Sequence, residues 1–162
     1  MDYIWTPWRM KYIQDHHKQE GCVFCLAAEA SQDNVDNLVF HRGEGVFLIL
    51  NRFPYTSGHI MCVPFVHVNS LQDLPRSTRL ELMDMVCKAV TVLQSVYKPE
   101  GFNVGLNLGE VAGAGIADHL HMHVVPRWGG DTSFMSAVAQ TRVLPETLEE
   151  TYRRVKAAWD DH

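Results

Sequence analysis

The chain has 162 residues, 46% apolar and 20% charged, with 14 Lys and Arg against 19 Asp and Glu for a net charge of −5. That length fits one compact domain with a sizeable core, and the composition excludes disorder on a large scale. The acidic balance and the lack of long like-charge runs argue against nucleic acid as a partner, though not against a local phosphate pocket.

Residues 1–20 carry Tyr3, Trp5, Trp8, Arg9, Tyr12, His16 and His17. They read as an N-terminal arm ahead of a single domain over 21–162. The first residues lack the basic and apolar regions of a signal peptide. The longest nearly apolar run, Ile60 to Val66, includes Pro64 and falls far short of the roughly 20 residues that span a bilayer. A cytoplasmic protein with no membrane partner is expected.

Cys22 to Ala30 is predicted as a short helix. Asn37 to His41 and Val46 to Leu50 read as strands joined at Arg42-Gly43-Glu44-Gly45, a hairpin signal. Asn51 to Gly58 is a loop, and His59 to Pro64 a third strand. Pro75 to Lys98 is the clearest helix, with Leu80, Met83, Val86, Val90, Leu93 and Tyr97 as its apolar stripe. Phe102 to Leu108 is a fourth strand and Gly109 to Gly115 a flexible loop. His119 to Val125 is a fifth strand, stopped by Pro126, and Leu144 to Trp159 a final helix. Strands without regular βα alternation point to an α+β fold with a mainly antiparallel sheet.

The run His119-Leu120-His121-Met122-His123-Val124-Val125 carries the chemistry. Strand side chains alternate faces, so three imidazoles fall on one side and Leu120, Met122 and Val124 on the other. Three readings are open: a polar strand face, a three-histidine metal site, or attack by a neutral imidazole on phosphorus. The preceding loop, with Gly109, Gly113 and Gly115, lets backbone N–H groups approach a phosphate, which favours the third.

Cys22-Val23-Phe24-Cys25 has the spacing of a zinc knuckle but supplies two ligands of four. Ordinary thiols on a short helix are the alternative, and no βαβ context surrounds the pair to support a redox role. Cys62 and Cys87 are expected as small core residues.

The histidine run resembles the signature of the histidine-triad (HIT) superfamily, His-φ-His-φ-His-φ-φ with φ apolar, at every position. The likeness extends over about residues 37–131. Leu50-Asn51-Arg52-Phe53-Pro54 with Ser57-Gly58-His59 resembles the family's nucleoside-binding strand and turn. Gly101 to Gly109, Pro126-Arg127-Trp128-Gly129-Gly130-Asp131 and Trp5-Thr6-Pro7-Trp8-Arg9-Met10 are similar to the bacterial diadenosine-tetraphosphate phosphorylase branch, itself related to the fragile-histidine-triad hydrolases.

The resemblance implies a HIT-like sheet of about five strands with one long helix. It implies His121 as nucleophile on an α-phosphorus, His123 as donor to phosphate oxygens, and His119 as an orienting or metal-binding residue. Asn51 would meet the ribose, Asn107 would lie beside the phosphates with Gly113 and Gly115, and His59 would support the site. His67 and His119 would complete a structural zinc site with Cys22 and Cys25. No organic cofactor is implied. The partners implied are a nucleotide or dinucleoside polyphosphate and a second copy of the chain in a homodimer.

In one place the chain departs from the family. Where many relatives carry Gly-Gln-Ser or Gly-Gln-Thr before the histidines, this chain has Ala114-Gly115-Ile116-Ala117-Asp118, which leaves phosphate contacts there to backbone N–H groups. A phosphorylase, a hydrolase of dinucleoside polyphosphates, a nucleoside phosphoramidate hydrolase and a nucleotide-binding signalling protein with negligible turnover are the functions this pattern allows.

Overall fold

The computed structural model describes residues 21–131 and 144–162; the expected N-terminal arm lies outside them. In chain order the elements are helix α1 (Val23–Glu29), strands β1 (Val39–Arg42), β2 (Val46–Leu50) and β3 (Ile60–Pro64), helix α2 (Arg76–Tyr97), strand β4 (Gly101–Leu106), a 3₁₀ turn (Glu110–Ala112), strand β5 (Met122–Arg127) and helix α3 (Leu148–Asp161). The strands form one antiparallel sheet in the order β1-β2-β3-β5-β4. Among the described residues no helix is long and apolar enough to cross a membrane.

β2 and β3 are buried at every position, so both of their faces are covered. Their unbroken apolar runs leave no polar side to face water. The core gathers Phe40, Phe47, Leu48, Leu50 and Ile60 of the sheet with Leu82, Val86 and Leu93 of α2 and Val155 and Trp159 of α3. Thr147 caps α3 by accepting from the Glu150 N–H, and the Tyr152 hydroxyl ties the helix to the Val39 carbonyl of β1 at 2.9 Å.

Several boundaries differ from the sequence reading. β5 starts at Met122 and runs through Pro126, so His119 and His121 precede the ladder. Here the chain answers a bend after β3: the Leu120 N–H donates to the Val68 carbonyl at 2.7 Å. Pro126 fits because an antiparallel strand needs N–H donors only at hydrogen-bonded positions. The final helix starts at Leu148 because Thr147 caps it. The Gly109 to Gly115 loop holds a 3₁₀ turn that ends at Gly113, where φ is +98°.

The buried face of α2 is also rotated from the expected stripe. Thr78, Leu82, Val86, Ala89, Val92 and Leu93 face inward, while Leu80 and Met83 are exposed. Apolar residues on both flanks blurred the periodicity. Cys62 is in the core as expected, but Cys87 is exposed on α2.

Gly58 brings the third strand to its starting point. Its φ of +79° suits glycine, and a Cβ there would lie 2.9 Å from Tyr97 and 3.0 Å from Leu93 of α2. The loop therefore runs hard against the long helix and delivers His59 to the head of β3.

Candidate functional site

His123 lies on β5 opposite Met61 of β3, and His59 precedes Met61 by two residues on the same face. That diagonal relation brings the two rings together. On the other side β5 pairs with β4, where Gly105 stands opposite His123. With no side chain at Gly105, β4 leaves that flank of His123 uncovered. Asn107 follows the last residue of β4, half-buried, with its side-chain amide donating to the Gly113 carbonyl at 3.4 Å. Gly115 is exposed in the same loop.

Each histidine has a hydrogen-bond partner that decides its tautomer. A neutral imidazole carries one N–H and one lone pair, so a partner that can only donate or only accept fixes both nitrogens. The Tyr55 backbone N–H donates to His59 Nδ1 at 3.1 Å. The neutral His59 ring therefore has its proton on Nε2, which donates to His123 Nδ1 at 2.8 Å. That leaves His123 with an Nε2–H. His121 Nδ1–H donates to the His119 carbonyl at 2.8 Å, which leaves its Nε2 lone pair available. His119 Nε2–H donates to the Pro64 carbonyl at 2.8 Å, so its Nδ1 carries the lone pair.

The electrostatics agree with neutral rings. Burial lowers the pKa of His119, and repulsion from His67 and His121 adds to it against the pull of the Pro64 carbonyl. Burial also lowers His121, opposed by its bond to the His119 carbonyl. His123 is pulled down to about 4 by burial and by the neighbouring His121. The His121 and His123 ring centroids are 5.0 Å apart, so a lone pair and an N–H donor sit side by side.

Asn51 is engaged locally. Its Oδ1 accepts from the Phe53 N–H at 2.9 Å, which closes the turn after β2, and its amide nitrogen faces the His59 ring at 3.4 Å. Tyr55 packs over His59 with centroids 4.7 Å apart.

The second cluster joins α1 to the loop after β3. Cys22, Cys25, His67 and His119 bring one ligand atom each to within 4.8 Å of one another. Cys22 Sγ is 3.3 Å and Cys25 Sγ 3.6 Å from His119 Nδ1, and Cys25 Sγ is 3.2 Å from His67 Nδ1. Such spacings match the edges of a tetrahedron with metal bonds of about 2.0–2.3 Å. Two thiols and two imidazoles are the donor set of a closed zinc site, and the Pro64 carbonyl already turns the His119 lone pair toward it. Burial and the neighbouring Cys22 raise the Cys25 thiol pKa, as expected of two thiols crowded together without a cation. The triad histidines do not themselves form such a cluster among the described residues.

Sequence reasoning overlooked two kinds of group. The carbonyls of Pro64 and His119 and the Tyr55 N–H are backbone atoms with no residue-type signal. Phe24, inside the Cys-x-x-Cys turn, contacts the rings of both His119 and His121. An apolar residue carries no signal of a site in its type, and Phe24 is also part of the core.

The HIT domain profile matches residues 32–130. The chain is 40% identical to the AP-4-A phosphorylase of Mycobacterium tuberculosis (strain H37Rv), over 96% of this chain and 83% of that protein. It is 31% identical to the asymmetrical bis(5'-nucleosyl)-tetraphosphatase of Schizosaccharomyces pombe, over 61% of this chain and 54% of that protein. Among solved structures, a Zn-bound histidine triad family protein from Mycobacterium smegmatis superposes with a TM-score of 0.69 at 28% identity, covering 87% of this chain and 94% of that one. By its sequence, its sheet order and its histidine run, the chain belongs to the HIT domain family.

Proposed function

We propose that the protein cleaves dinucleoside polyphosphates such as diadenosine tetraphosphate at an α-phosphorus, through a nucleotidyl group carried on His121 and passed to inorganic phosphate. The observation that carries this reading is the His121 Nδ1–H bond to the His119 carbonyl, which leaves a buried, neutral Nε2 lone pair beside the His123 N–H.

In the first step His121 Nε2 attacks the α-phosphorus. A P–N bond forms, the P–O bond to the bridging oxygen breaks, and the remaining nucleoside polyphosphate leaves with the electron pair. The ring becomes cationic, and its Nδ1–H bond to a carbonyl stabilises that charge. His123 Nε2–H donates to a phosphate oxygen as negative charge builds, the term that usually dominates such catalysis. In the second step phosphate attacks the same phosphorus, a nucleoside diphosphate forms, and His121 is released neutral. Splitting one displacement into two is the general advantage of a covalent route. Asn51 would meet the ribose, and Asn107 with the Gly113–Gly115 backbone would meet the phosphates. The 40% identical AP-4-A phosphorylase supports phosphate as acceptor over water.

Cys22, Cys25, His67 and His119 would hold zinc as a structural ion. Bound there, zinc would cross-link α1, the loop after β3 and the start of the histidine run. The exposed Leu80 and Met83 on α2 and Val104 on the edge strand β4 support a homodimer.

With phosphate present, diadenosine tetraphosphate is expected to give ADP and ATP, and intact-mass analysis to show an added AMP on the wild-type chain. His121→Ala is expected to lose the adduct and at least about a thousandfold in kcat. AMP and ATP in the presence of phosphate would instead mean hydrolysis. An adduct that persists in His121→Ala would remove the nucleophile assignment.

The purified chain is expected to hold close to one zinc, measured by elemental analysis, and Cys22→Ser to release it. Metal-free protein after mild purification would contradict the site.

The folded pKa of His123, about 4, lies below the ordinary 6.5, so between these values the unfolded chain binds the extra proton. This contribution to stability is complete above about pH 6.5 and is lost as pH falls toward about 4. Urea midpoints measured from pH 7 to pH 5 are expected to drop more steeply in wild type than in His123→Gln. Parallel slopes would show that His123 does not titrate this way.

A further inference from the structure

α1 is seven residues long and has no side-chain hydrogen bond at its N-cap, Cys22. Other elements set its seat at both ends. At its start the two thiols lie against His119 and His67. At its end the Arg42 guanidinium of β1 donates to the carbonyls of Ala27, Ala28 and Ala30 and is itself held by Asp33 at 2.7 Å. Between these anchors sits Phe24, only 2% exposed. Its ring centroid is 5.4 Å from that of His119 and 5.0 Å from that of His121.

We infer that Phe24 is a positioning residue for His121: its ring, wedged against the imidazole from a helix pinned at both ends, fixes the direction in which Nε2 points. The inference rests on the reading of His121 as nucleophile. The bond from Nδ1 to the His119 carbonyl decides which nitrogen carries the proton. A single hydrogen bond still leaves the ring free to pivot about it, and attack on phosphorus needs the lone pair aligned with the bond that breaks. A packed phenyl ring on one side removes that freedom, with the His123 ring on another. Preorganisation of this kind governs rate, because reacting atoms displaced by about 1 Å lose roughly a hundredfold. Phe24 is buried and offers a nucleotide no surface, so its contribution belongs to the chemical step and not to binding.

The test is single-turnover rapid quench on zinc-loaded protein with diadenosine tetraphosphate, comparing wild type with Phe24→Leu. Leucine keeps apolar bulk and loses the flat ring. Phe24→Met, a more adaptable side chain, is the second variant, read where leucine does not fold. The rate of adduct formation is expected to fall about tenfold to a hundredfold, while the half-saturating substrate concentration and the zinc content per chain stay at wild-type values. Rates equal to wild type, or a loss confined to half-saturation, would overturn the proposal. A wild-type chain that never acquires an adduct on His121 would overturn the nucleophile assignment itself, an outcome distinct from any result of the Phe24 variants.

Discussion

A neutral imidazole has one nitrogen to give a proton and one to receive it, and whatever occupies one nitrogen dictates the other. Four histidines in this protein obey that constraint through partners that allow a single answer. The Pro64 carbonyl takes the proton of His119, the His119 carbonyl takes that of His121, and the Tyr55 N–H forces His59 to present its proton to His123. The result is a lone pair on His121, set directly by a backbone carbonyl, and a donor on His123, set through the His59 ring by the Tyr55 N–H. Protonation of any ring would break the arrangement, and burial guards against it by lowering the pKa of His119, His121 and His123.

His119 joins two sites that would otherwise be separate. Its side chain faces the cysteines of α1, while its carbonyl holds His121. The candidate metal-ligand cluster and the candidate catalytic pair are thus separated along the chain by Leu120 alone and share the same anchored backbone. The break between this segment and β5 serves that end. Had the ladder begun at His119, regular alternation would have placed its ring in line with His121 and His123. Leaving the ladder lets the ring turn to Pro64 and the thiols instead.

Much of this was legible in the sequence. The histidine run, the hairpin at Gly43 to Gly45, the strand Val46–Leu50 and the long helix follow from periodicity and turn residues, and the antiparallel sheet from their order. Other features were not, for identifiable reasons. Leu80 and Met83 look like core because hydrophobicity does not say which flank of a helix meets the sheet, and both are exposed. Cys87 was misjudged on the same helix. Pro126 looks like a strand end, yet it pairs with β4 past the point where the β3 ladder stops at Val124, and an antiparallel strand has positions that need no N–H. Apart from His59, the tautomer-setting groups are backbone atoms, and Phe24 is marked only by where its ring lies, so neither shows in residue type.

The most direct measurement is the tautomeric state of each histidine, read from long-range ¹⁵N–¹H correlations on the ligand-free protein near neutral pH. The proton is expected on Nδ1 of His121 and on Nε2 of His59, His119 and His123. A proton found on Nε2 of His121, whether in the other neutral tautomer or in a doubly protonated ring, would leave that nitrogen without the lone pair that attacks phosphorus and would contradict the account.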